Sequence, residues 1–339
     1  MIGLQLVFAA ALASAPAPTL AENLTTCSSD GEAAIAACTA VISSGELSPE
    51  DLSTAYFCRA ASYDDKKMIK QAIDDYSSAI RLNPNLGAAY FNRSQDYEEI
   101  GKLEDALADI SQAIRLNPTD PDGYTNRGLI YRDLHRLDEA LQDIDVAIRM
   151  NPVNAETYVN RAAIDTQRGD FVRAVQDAGK AIDLRPDFAE AFANRGAAYI
   201  KEYRDDEGIA DENRAIALKQ NLPNAYIDRA SGLIHKRQWL QALADCNTAI
   251  SLDPDDPRAF IVRGNAFESM GQHRPAILDE THALQMSANF ADALEIRGAA
   301  YAGDGRREEA IADLQAALKL DPTLDYARQQ LAGLGVKPR

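Results

Sequence analysis

Residues Gly87–Asp120, GAAYFNRSQDYEEIGKLEDALADISQAIRLNPTD, decide how the rest of the chain is read. Steps of 34 residues forward from Pro118 land on Pro152, Pro186, Gln220, Pro254, Ala288 and Pro322, and one step back lands on Pro84. Eight copies therefore run without a gap from Ser53 to Leu324: 53–86, 87–120, 121–154, 155–188, 189–222, 223–256, 257–290 and 291–324. A period of this length is the mark of a solenoid, in which each unit packs only on its neighbours.

Within the copy, Tyr90, Ser94 and Tyr97 fall on one side of a first helix, and Ala106, Leu107, Ile110, Ala113 and Ile114 form the stripe of a second. Both spacings follow the helical period. A small residue stands at the eighth place of every copy (Ala60, Ser94, Gly128, Ala162, Gly196, Ala230, Gly264, Gly298), so the two backbones can approach closely. Asn117-Pro118 stops the second helix, because the residue before Pro is driven out of the α region and Pro has no N–H. Asp120-Pro121 and Asp256-Pro257 then read as an N-cap followed by Pro in the first turn. The unit expected is a helical hairpin, and the fold class all-α.

These columns resemble the tetratricopeptide repeat family over about four fifths of the chain. The resemblance is carried by an aromatic at the fourth place (Tyr56, Tyr90, Tyr124, Tyr158, Phe192, Tyr226 and Phe260, with Leu294 departing), the small eighth, and Tyr63, Tyr97, Tyr131, Tyr199 and Tyr301 at the eleventh. Ala at the twentieth fails only at Gly208, and Ala at the twenty-seventh never fails. The resemblance implies a right-handed superhelical α-solenoid of helix-turn-helix hairpins whose inner wall binds protein or peptide partners.

At each end of the array the pattern changes. Ile2 to Ala13 is an apolar run followed by Ser14-Ala15-Pro16-Ala17-Pro18, too short to span a bilayer but suited to a signal peptide over residues 1–21 with cleavage after Ala21. Residues 22–52 are expected to form an N-terminal capping partial hairpin, with a loop from Ser43 to Asp51, and 325–339 a C-terminal capping helix and tail. Delivery to an oxidising compartment would let Cys27 and Cys38 form a bridge that staples the cap; in a reducing one both stay thiols. The leader makes the expected location periplasmic or secreted, with no membrane span in the mature chain.

Two columns are uniform. The seventh place is Arg throughout (Arg59, Arg93, Arg127, Arg161, Arg195, Arg229, Arg263, Arg297) and the twenty-third is Asp throughout (Asp75, Asp109, Asp143, Asp177, Asp211, Asp245, Asp279, Asp313). Pairing between neighbouring repeats would orphan Arg59 and Asp313, since the caps carry Ala37 and Leu331 in the matching places. Pairing inside each repeat leaves none over. Eight internal, partly buried Arg–Asp pairs are therefore expected.

The sixth column lies opposite the buried places, on a face shared with the second, fifth, ninth, twelfth and thirteenth. It reads Cys58, Asn92, Asn126, Asn160, Asn194, Asp228, Val262 and Ile296. A row of Asn can donate and accept at once, as an extended peptide backbone requires. It is similar to the asparagine ladder in the repeat domain of O-GlcNAc transferase; the other reading has the four amides touching only water. Further along, Ile227, Ile234, Ile261, Val262 and Ile296 make the wall apolar, matching either inserted partner side chains or ordinary scattered surface residues. Phe57, Phe91 and Thr125 at the fifth place leave no basic carboxylate clamp.

A net charge of −17 disfavours nucleic acid, which needs clustered Lys and Arg. Four scattered His, no paired metal-type Cys and no nucleophile motif give no metal, no cofactor and no enzyme. The reading is a scaffold or adaptor binding extended segments, or else a non-catalytic recruitment or specificity subunit of a cell-envelope enzyme complex. Repeat five, where Gly208 replaces Ala and Gln220 replaces Pro, reads as a soft joint, and Glu212 and Glu280 at the apolar twenty-fourth place read as local loosening or as marks of a site.

Overall fold

The computed structural model describes residues 19–27 and 32–336. The expected leader lies outside the described residues up to residue 18. The described residues form helices and connecting turns and divide into two compact units, one ending at Met150 and the other starting at Asn151.

The first unit opens with α1 (Leu20–Cys27) and α2 (Glu32–Ser44), and continues with the hairpins α3 (Pro49–Asp65) and α4 (Ile69–Leu82), α5 (Gly87–Glu99) and α6 (Leu103–Leu116), α7 (Pro121–Asp133) and α8 (Leu137–Met150). The second unit consists of α9 (Ala155–Arg168) and α10 (Phe171–Leu184), α11 (Ala189–Lys201) and α12 (Asp205–Leu218), α13 (Pro223–His235) and α14 (Trp239–Leu252), α15 (Pro257–Ser269) and α16 (His273–Met286), α17 (Ala291–Gly303) and α18 (Arg307–Leu320), closed by α19 (Asp325–Gly333). Within each unit the helices of a hairpin pack together and each second helix packs on the next first helix. This is an all-α solenoid.

Hairpin geometry follows from five columns. The fifteenth residue of every repeat takes left-handed backbone: Gly101, Gly169, Gly271 and Gly305 do so without a Cβ, while Lys67, His135, Tyr203 and Arg237 do so at φ of 56 to 59°. Alanines of the twentieth and twenty-seventh places are sealed from solvent, as at Ala72, Ala106, Ala215 and Ala249. The eighth and twenty-fourth places share one volume. Added Cβ atoms on Gly128 and Gly298 would meet Ile144 and Leu314, whereas Ala162 and Ala230 stand in the repeats carrying the smaller Ala178 and Cys246.

Two expectations about the array are corrected. α3 begins at Pro49, inside the stretch read as loop, because Ser48 Oγ accepts the Asp51 N–H at 3.1 Å and Pro49 occupies the first turn. Gly208 is not a slack point: a Cβ there would stand 2.5 Å from Ile200 Cγ1 and 2.9 Å from the Gly196 carbonyl, so Gly is what lets α11 and α12 approach. In the cap, a disulfide joins Cys27 to Cys38, and both sit in a cluster with Val41 and Ala55.

Candidate functional site: the inner face of the second unit

The arginine and aspartate columns hold the hairpins in register. Arg59 donates Nε to Asp75 Oδ2 at 2.6 Å and Nη2 to Oδ1 at 2.9 Å, and the two-pronged geometry recurs at Arg93–Asp109, Arg127–Asp143, Arg161–Asp177, Arg195–Asp211, Arg229–Asp245, Arg263–Asp279 and Arg297–Asp313. Each aspartate is nearly buried, and aromatic rings of the fourth and eleventh places flank the guanidinium, as Tyr90 and Tyr97 do around Arg93 at 5.8 and 5.6 Å. The remaining Nη1 reaches backward. Arg93, Arg229 and Arg263 donate it to Ser77, Asn213 and Asn247 of the preceding hairpin at 2.8, 2.7 and 2.7 Å. These arginines thus face a structural task and leave the groove free of their charge.

In the second unit the first helices α11, α13, α15 and α17, with α19, enclose a groove of about 610 Å³. Apart from Tyr203, its lining comes from the second, fifth, sixth, ninth, twelfth and thirteenth places of the repeats and their continuation in α19. Among the residues singled out in the sequence, Asp228, Ile261, Val262 and Ile296 meet here, all partly exposed. Ile227 does not. It is 4% exposed and packs with Ala249 and Ala259, and Ile234 is likewise in a core cluster with Ala242, Cys246 and Ala266, because α14 and the following first helix α15 cover both.

Residues missed in the sequence include Lys201, His235, Glu268, Asp292, Glu295 and Tyr326. Their columns were visible, but their types vary from repeat to repeat, so no column repetition marks them. Glu268 lies 2.8 Å from His273 Nδ1, His235 Nδ1 lies 2.8 Å from Asp205, and Glu295 accepts the Ala327 N–H at 2.7 Å. Burial raises the Glu295 carboxyl, and raises Asp228 to about 6, with Arg258 and Lys201 acting in the opposite direction.

The asparagine row is split in its roles. Asn92 donates to the Tyr76 hydroxyl at 3.0 Å, and that hydroxyl donates to Asp64 at 2.6 Å. Asn194 donates to the Val159 carbonyl at 3.1 Å, tying α11 to α9. Asn126 and Asn160 are half-buried. A smaller hollow of about 290 Å³ in the first unit is lined by Phe91, Asn92 and Ile114.

Two fully buried acids stand apart from the groove. Glu212 and Glu280 occupy the volume over Gly196 and Gly264, with no hydrogen-bond partner for either carboxyl. They stand in a buried place that other repeats fill with uncharged side chains such as Ile110, Ile144 and Leu314, so desolvation drives Glu212 well above the usual carboxylate range and Glu280 to about 10. Asp165, at the aromatic eleventh place, is sealed beside Arg173 at 3.3 Å and raised to about 6, chiefly by burial.

Helical hairpins stacked in this register define a repeat-solenoid class of interaction protein. Tetratricopeptide repeat models match residues 121–154 and 291–324, and a TPR repeat model matches 95–134, so the chain contains tetratricopeptide repeats. Similar solved structures include a tetratricopeptide repeat protein from Parabacteroides merdae, 23% identical with a TM-score of 0.57 over 74% of this chain and 98% of that one. Another is the APC/C hetero-tetramer Cut9-Hcn1, 15% identical with a TM-score of 0.65 over 92% of this chain and 62% of that one. A third is Pseudomonas aeruginosa pilF, 15% identical with a TM-score of 0.51 over 62% and 96%. No curated protein matches. Among the described residues no helix is long and apolar enough to cross a membrane.

Proposed function

We propose that the chain is a recognition scaffold that receives an extended segment of another protein along the inner face of its second unit, without chemistry of its own. The groove of about 610 Å³ carries this reading, because it presents half-buried Ile261, Val262 and Ile296 beside polar groups on four successive first helices and the capping helix. The side-chain amide of Asn160, in the second unit, hydrogen-bonds no other described residue and is available to a peptide backbone. The leader and the Cys27–Cys38 bridge support export to an oxidising compartment such as the periplasm.

Panning a displayed random-peptide library against the purified chain tests the reading. Enriched peptides should bind the wild type and lose about tenfold or more in affinity to Ile296→Glu, which sets a charge on the apolar wall. Absence of enrichment, or ligands indifferent to that change, would contradict it.

A further inference from the structure

Eight aspartates of this solenoid are gripped by arginines of their own hairpins. The groove departs from that habit. Asp228, Glu268, Asp292 and Glu295 line it from α13, α15 and α17, and Lys201 is the one Lys or Arg among the lining residues. Glu268 and Glu295 have partners of their own at His273 and the Ala327 N–H. The carboxylates of Asp228 and Asp292 make no side-chain hydrogen bond or direct ion pair with a described residue, and Arg258 and Lys201 act on Asp228 through the electrostatic field alone. Asp228 is also desolvated on the groove floor, beside the apolar Ile261 and Val262. A partly desolvated carboxylate without a direct ion pair gains from a cation placed against it, so the wall is incomplete in charge as well as in apolar cover.

We infer that the occupant of this groove is a cationic segment of a partner protein, whose Lys or Arg side chains meet Asp228 and Asp292 while its apolar side chains cover Ile261, Val262 and Ile296. The inference rests on the recognition reading above and adds the chemistry of the partner. A polypeptide is favoured over a small polyamine because the carboxylates are interleaved with apolar side chains over several helices, and a polyamine would leave the latter uncovered. The net charge of −17 draws such a segment in from a distance.

Fluorescence titrations of the full chain with equal-length peptides alternating Leu with Lys, Gln or Glu test it. The Leu–Lys peptide should bind about tenfold or more tighter than Leu–Gln, and Leu–Glu weakest. Asp228→Asn with Asp292→Asn should erase that advantage with the helical circular dichroism unchanged, and Lys201→Gln should tighten Leu–Lys binding. Should the double variant fail to fold, Lys201→Gln and a salt series read the same electrostatics. Equal binding of Leu–Lys and Leu–Gln, both sensitive to Ile296→Glu, would overturn the charge assignment and leave the recognition reading standing. Leu–Lys binding indifferent to the double variant, or spermine competing as well as the peptide, would also overturn it. No binding of any of the three would overturn both readings.

Discussion

Arg127 grips Asp143 through two parallel hydrogen bonds, 2.6 Å from Nε to Oδ2 and 2.8 Å from Nη2 to Oδ1, while its third nitrogen donates to Ser111 of the hairpin before it at 3.5 Å. One side chain thus closes its own hairpin and touches the next. Asp143 keeps only 9% of its side-chain surface exposed and would be left as an uncompensated charge without its partner.

Arg127→Ala should therefore destabilise the chain by about 3 kcal/mol, read as a shift in the chemical-denaturation midpoint. A shift near zero would mean that the column is not structural.

The backward contact fails at one place. Arg195 Nη1 faces Gly179, where a Cβ would stand 3.9 Å away in ordinary contact, so the acceptor supplied elsewhere by Ser77 or Asn213 is missing. Gly179→Ser should stabilise by about 1 kcal/mol, combining helix propensity with the new hydrogen bond. Gly179→Ala isolates the propensity part, and a serine gain no larger than alanine's would discount the hydrogen bond.

Glu212 and Glu280 give the stability a sign with pH. Their folded carboxyls titrate far above the unfolded value of about 4.3, Glu280 at about 10, so the folded chain binds protons more tightly than the unfolded one. Their contribution is therefore most favourable below that unfolded value and declines as pH rises toward the folded one. Thermal melts should show the wild type weakening between about pH 5 and 9, and Glu212→Leu with Glu280→Leu should flatten that slope and gain about 1–4 kcal/mol at the alkaline end. Unchanged slopes would mean that both carboxyls reach water.

Most of the scaffold was legible from the chain alone, because a strict period of 34 turns each structural rule into eight observations. Repetition located the hairpins, and the mismatched caps at Ala37 and Leu331 pointed to Arg–Asp pairing inside repeats. What repetition could not reveal is what varies. The groove carboxylates Glu268, Asp292 and Glu295 occupy three different columns of two repeats, so only their assembly in space groups them. The small polar residues behind the arginines, Ser77 and Asn213 among them, form a column of mixed types whose role appears once the guanidinium is seen to extend backward. Ile227 was misread because a helical wheel gives direction around one helix, not the depth set by its neighbours Ala249 and Ala259. The column of Asn92 and Asn194 was visible, yet not that nearby acceptors already engage their donors.

Carboxyl footprinting addresses the central claim, that the inner face of the second unit is where a partner polypeptide lies. The full chain would be labelled by carbodiimide-coupled amine, with and without a peptide selected for binding, and modification mapped by mass spectrometry. Protection of Asp292 and Glu295 with no change at Asp255 and Glu308, which are exposed and not part of the groove lining, is the result expected from the groove geometry. Equal labelling of Asp292 and Glu295 with and without bound peptide, or protection confined to Asp255 and Glu308, would contradict it.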